Sequence, residues 1–152
     1  MSLRARLQET LKEAMRAKDQ RTLGTVRLIL AALKDRDIAA RDKGVMDGIP
    51  DADIAGMLQT MIKQRRESIG LYEQGGRLEL AQQEREEIEV IERFMPKQMS
   101  DAEVEAAIRD TIAALGASGI KDMGRVMAEL RSRHPGQMDF GKASGQVKAA
   151  LT

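Results

Sequence analysis

Only three prolines interrupt this 152-residue chain, at positions 50, 96 and 135, and the segments between them carry apolar residues at helical spacing. Proline lacks a backbone N–H and fixes φ, so each one opens or ends a helix rather than lying inside it. The intervening segments are dominated by Ala, Leu, Met, Glu, Gln, Lys and Arg, and aromatic residues make up 2% of the chain. That mix favours helix over sheet and leaves the core to aliphatic and Met side chains. The expectation is an all-α fold.

The spacing predicts a first helix over about 2–17, with Leu3, Leu7, Leu11 and Met15 on one stripe. A second is expected over about 19–43, with Leu23, Val26, Ile29, Leu30 and Leu33 inward. After a loop, a third runs from Asp51 to Gly75-Gly76 and buries Ile54, Leu58, Met61, Ile62, Ile69 and Tyr72. The double glycine is its stop signal. A fourth spans about 78–95, with Ala81, Ile88, Ile91 and Met95 on its stripe. Its acidic run, EREEIEVIER, reads as a solvated face laced by Arg85–Glu89 and Glu89–Arg93 pairs.

Pro96 opens a short hinge. Ser100 with Glu103 three residues on is a capping-box pattern, and Val104, Ile108, Ile112 and Leu115 follow at helical spacing. Two shorter helices are expected over about 122–133 and 139–151, split by His134-Pro135-Gly136. The domain boundary is placed at about residue 96. Residues 1–96 would form an N-terminal long-helix bundle or hairpin, and residues 97–152 a small three-helix C-terminal domain.

Twenty-five Lys and Arg stand against 24 Asp and Glu, a net charge of +1, so contact with a polyanion must come from a local patch. Cysteine is absent, which excludes disulfides, thiol nucleophiles and thiolate metal sites. The N-terminus lacks a continuous apolar h-region and no run of about 18 apolar residues occurs, so neither a secretory signal nor a membrane span is expected. The default location on this reading is the cytoplasm.

No phosphate loop of the GxxxxGK[ST] type and no GxSxG elbow is present. His134, the single histidine, precedes Pro135-Gly136 and reads as an exposed turn residue or helix C-cap rather than a ligand or base. Met57, Met61, Met123 and Met127 read as core filler. The expectation is no catalytic residue, no metal and no cofactor. Lys63, Arg65 and Arg66 cluster near Arg77. After residue 119 there are six bases, Lys121, Arg125, Arg131, Arg133, Lys142 and Lys148, against three acids, Asp122, Glu129 and Asp139. Such a patch can neutralise backbone phosphates without reading bases. Phe140 alone provides no stacking platform, so recognition of a folded RNA by shape and phosphate fits better than single-strand binding.

The last two helices open alike, Asp122-Met123-Gly124-Arg125 and Asp139-Phe140-Gly141-Lys142. Asp suits an N-cap and the helix dipole. Gly in a first turn costs about 1 kcal/mol against Ala, which implies close approach by another backbone. Helix–helix packing is the expected cause. A phosphate at the helix N-terminus is the second reading.

The stretches LKEAMRAKDQRTLGTVRLILAALKD, SIGLYEQGGRLELAQQEREEIEVIERFMPKQMS and ALGASGIKDMGRVMAELRSRHPGQMDFGKASGQVKAAL together resemble the GatB/YqeY family. The linked segments YEQGGR (72–77), ERFMPKQ (92–98) and KDMGRVM (121–127) carry the likeness over nearly the whole chain. The resemblance implies an N-terminal bundle and a C-terminal domain similar to the tail domain of the B subunit of the tRNA-dependent amidotransferase. That tail helps hold the tRNA body, while catalysis lies in other domains and subunits. By carry-over, residues 97–152 would face tRNA, with Arg125 the phosphate ligand among the motif residues. The implied role is a tRNA-binding or amidotransferase-associated accessory protein. The alternative is a protein-interaction module docking on an aminoacyl-tRNA synthetase or amidotransferase. A third reading, carbon–nitrogen ligase activity with glutamine as amido-N donor, is inherited from the family name. For it the sequence offers no ammonia channel, ATP site or acyl-transfer nucleophile. The oligomeric state is left open.

Overall fold

Helix breakers and caps divide the chain where the sequence places them. The computed structural model describes residues 1–152 and is helical, without strands. In order the elements are α1 (Leu3–Ala17), α2 (Gln20–Arg41), α3 (Asp51–Gln74), α4 (Leu78–Glu92), α5 (Asp101–Leu115), a 3-10 turn (Ile120–Asp122), α6 (Met123–Arg133) and α7 (Phe140–Leu151). Ser2 caps α1 by accepting from the Ala5 N–H, and Asp19 caps α2 by accepting from the Thr22 N–H. Pro50 stands at the start of α3. Gly76 turns the chain into α4 at φ +72°, a conformation that disfavours a Cβ. Ser100 and Glu103 form the capping box at α5 in both directions.

The chain divides into two compact units, Met1–Met95 and Pro96–Thr152. In the first, α1 to α4 bury one aliphatic and Met core. Leu7, Val26, Ile29, Ile54, Leu58 and Ile91 lie at its centre, with Met57, Met61 and Phe94 filling around them. Met15 does not join the α1 stripe and is 53% exposed, while Ala14 is buried. A strict four-residue repeat drifts by about 40° per step on a 3.6-residue helix, so the fourth member leaves the buried side.

The acidic run of α4 also departs from the solvated-face reading. Glu87 is buried and accepts from Arg65 Nε at 2.9 Å, and Glu84 lies 3.8 Å from the same nitrogen. Other charges on α4 reach neighbouring helices: Glu86 to Arg21, Arg85 to Glu73 and Glu92 to Arg66. Arg93 donates to the Thr22 hydroxyl at 3.3 Å. The expected Arg85–Glu89 and Glu89–Arg93 pairs give way because partners on adjacent helices compete for the same side chains. A loop clasp completes the unit. Arg4 grips Asp37 with both terminal guanidinium nitrogens, at 2.7 and 3.1 Å, and also donates to the Ile49 carbonyl at 3.3 Å. Asp37 additionally accepts from the Ile49 N–H at 2.9 Å.

The second unit packs α5, α6 and α7 around Ile108, Val126, Met127, Leu130, Met138, Val147 and Leu151. Its leading segment is tied to the α6–α7 turn. The Met99 N–H donates to the Gln137 carbonyl at 3.0 Å, and the Gln98 side chain donates to the Gly136 carbonyl at 2.8 Å. His134 is the C-cap of α6, its N–H donating to the Leu130 carbonyl at 2.9 Å.

Candidate functional site

All six bases singled out after residue 119 are exposed. Arg125 and Arg133 lie eight residues apart on α6 and diverge by about 80°, with Glu129 between them, and Lys121 precedes them in the 3-10 turn. Arg131 lies on a different side, its guanidinium carbon 5.5 Å from the centre of the Phe140 ring. Lys142 and Lys148 sit six residues apart on α7, so they leave the helix in different directions. The fold therefore spreads the six over several directions instead of lining them up on one face.

Nearby acids engage half of them. Arg125 pairs with Asp122 at 3.2 Å, Arg133 with Glu129 at 2.9 Å and Lys142 with Asp101 at 3.9 Å. Lys121 and Lys148 have no ion partner. Over the whole unit, eight Lys and Arg stand against seven Asp and Glu, so the positive character is local. In the first unit, Arg65 is committed to Glu87 and the Met61 carbonyl, which removes it from any free cationic cluster with Lys63 and Arg66.

The two similar helix starts differ in chemistry. Asp139 caps α7, its Oδ1 accepting from the Gly141 N–H at 2.9 Å and the Lys142 N–H at 3.2 Å. Asp122 does not cap α6. It accepts from the Ser118 N–H at 3.0 Å, closing the turn before the helix, and it meets Arg125. The Ser118 N–H, with help from Arg125, holds the Asp122 carboxyl below its ordinary range.

The glycines correct an expectation. A Cβ at Gly124 would meet nothing within 4 Å, and one at Gly141 would meet only its neighbour Asp139, at 3.2 Å. Neither glycine serves packing against another helix of this chain. Gly145, one turn beyond Gly141, is also exposed with open space at its Cβ position. Its signal in the sequence is the Gly141-x-x-x-Gly145 spacing, which places both glycines on neighbouring turns of α7. The surface of α6 and α7 thus presents bare backbone beside cations. No helix is long and apolar enough to cross a membrane, and no three His, Asp or Glu side chains gather as a metal set.

These features define an all-α protein of two helical units, the second of which carries exposed bases and exposed glycines on α6 and α7. The chain belongs to the YqeY-like family: the family model described as "Yqey-like protein" matches residues 4–151. It is similar to curated proteins named "Altered inheritance of mitochondria protein 41, mitochondrial". With that of Eremothecium gossypii it is 34% identical over 143 residues, covering 94% of this chain and 68% of the relative. With that of Vanderwaltozyma polyspora it is 29% identical, covering 77% and 64%. With that of Lachancea thermotolerans it is 29% identical, covering 75% and 60%. The chain thus spans about two thirds of the length of these relatives. Their names are those of mitochondrial proteins, which overturns the cytoplasmic location expected from the sequence. An apolar h-region is a mark of secretion alone, and its absence does not distinguish one other compartment from another.

Proposed function

We propose that the chain is a non-catalytic accessory protein of tRNA metabolism whose C-terminal unit contacts the tRNA backbone through its exposed bases, Arg125 beside Gly124 at the centre and Lys121, Arg131, Arg133, Lys142 and Lys148 around it. The observation that carries this reading is the open space over Gly124 beside Arg125. Glycine there weakens the helix without serving a neighbour in this chain, so a partner backbone is the remaining cause for close approach. The ion pairs on Arg125 and Arg133 are exposed, and such pairs contribute about 0–1 kcal/mol, so a phosphate can replace the carboxylates. The mitochondrial setting belongs to the same proposal, carried over from the relatives' names.

Binding of labelled tRNA at several salt concentrations tests it. About three phosphate contacts imply a slope of log K against log salt between roughly −2 and −3. Arg125→Glu with Lys142→Glu should weaken binding more than tenfold and flatten that slope. Absence of binding at low salt, or indifference to the double variant, rules the proposal out. The second reading, docking on an aminoacyl-tRNA synthetase or amidotransferase, draws support from exposed apolar residues of the first unit such as Leu71 and Leu78, 68% and 64% exposed. It predicts a stoichiometric complex with a purified enzyme that survives high salt.

A further inference from the structure

We propose that α2 is a homodimerisation helix that pairs in parallel with α2 of a second copy of this chain. The inference concerns the first unit alone and is independent of the tRNA reading. Seven residues return a helix to nearly the same azimuth, with a drift of about 20°. Gly24, Ala31 and Ile38 therefore form one line down α2, opposite the buried line of Val26, Ile29 and Leu33. All three are exposed, Ile38 by 46%. Val45, 43% exposed, continues the apolar residues past the helix end, held there by its N–H donating to the Ala40 carbonyl. Leu28, 48% exposed, widens the line on one flank.

The charges beside this line identify the occupant. On one flank lie Arg27, Lys34 and Arg41, again seven apart. On the other lie Leu28, Asp35 and Asp42, also seven apart. Arg27, Lys34, Asp35 and Asp42 make no ion pair or side-chain hydrogen bond within the chain. Arg41 acts only at a distance on Asp37, a carboxylate already taken by Arg4. A two-fold axis along the helix brings the basic flank of one copy against the acidic flank of the other. Lys34 then meets the second copy's aspartate at position 35, Arg41 meets the one at 42, and symmetry repeats both pairs. An antiparallel arrangement would set the basic flank against itself. Nucleic acid would bring phosphates onto the aspartates and onto Ile38. The line repeats every seven residues, and its oppositely charged flanks meet as complements only in the parallel register.

From residue 24 to residue 38 the line is about 21 Å long, so the contact is at the small end for a specific interface and the dimer must be dissociable. The full chain, followed by sedimentation equilibrium from about 1 to 500 µM, should shift from monomer towards twice its mass. Exposed Ile38→Asp should abolish the shift. Lys34→Glu should weaken association at least tenfold, and Lys34→Glu with Asp35→Lys should restore it, because the two flanks become complementary again. Since the chain has no cysteine, Gly24→Cys adds a single thiol where a Cβ meets nothing. In the parallel arrangement, oxidation should join two copies through it. A monomer throughout the range, association indifferent to Ile38→Asp, failure of the charge swap to rescue, or a Gly24→Cys dimer that does not cross-link each overturns the proposal.

Discussion

Lys18 is the only non-glycine residue with positive φ, at φ +56° and ψ +34°, and it ends α1 in the left-handed conformation. Its N–H reaches the Ala14 and Met15 carbonyls, the bonding of a helix C-terminus that glycine usually occupies. A Cβ in this conformation costs energy that glycine avoids, partly offset by glycine's larger unfolded-state entropy. Lys18→Gly should therefore stabilise the protein by about 0.5–1 kcal/mol, seen as a higher urea midpoint with unchanged slope. Gly48 is the converse. It sits at φ +90°, and a Cβ would come within 2.5 Å of the Arg4 guanidinium that grips Asp37. Gly48→Ala must disturb both the backbone and the clasp, and a loss of about 2 kcal/mol in the same titration is expected. Of these positions the sequence advertised little. Gly48 lay in a recognised loop, but its contact with Arg4 spans 44 residues of chain and no local pattern encodes it.

At the scale of elements, α4 shows what periodicity reveals and what it hides. Ala81, Ile88 and Ile91 were readable as its inward line because burial follows the helical period. The role of Glu84 and Glu87 was not, because their surroundings are supplied by Arg65 from α3. Burial, reinforced by the Glu87 charge, pushes the Glu84 carboxyl above its ordinary range, and Arg65 only partly opposes this. A carboxyl raised in the folded state favours folding while protonated. Its contribution is complete below the unfolded value and is lost as pH rises through the folded one. Glu84→Gln keeps the shape without that charge. It should raise the melting temperature at pH 7 and leave it nearly unchanged at pH 4. A melting temperature lowered equally at both values would mean that the charge of Glu84 is itself needed. The same contrast governs the glycines. The echo between the starts of α6 and α7 was visible in sequence, but whether Gly124 faced a helix or open space depended on tertiary placement.

At the scale of the whole molecule, two separate apolar clusters divide the stability between the units. One is centred on residues such as Leu58 and Ile91, the other on Leu130 and Val147. The units differ in what they can withstand. The first runs from Met1 to Met95 and the second only from Pro96 to Thr152. A unit of roughly 60 residues buries a smaller share of its surface than a larger one and stands close to the margin of folding alone. Leu130 is fully buried in the smaller unit, and its truncation to Ala should cost about 2–5 kcal/mol. That loss is comparable to the whole stability of such a unit. The equivalent change at fully buried Leu58 removes a similar amount from a larger core. Leu130→Ala should therefore abolish tRNA binding and lose the amide-exchange protection of α5 to α7, while α1 to α4 stay protected and association through α2 persists. Hydrogen exchange resolved by segment, run beside the sedimentation measurement, reads all three outcomes at once. If Leu130→Ala instead dissolves protection in α3 and α4, the two clusters fold as one cooperative body and the assignment of separate roles to the two units fails.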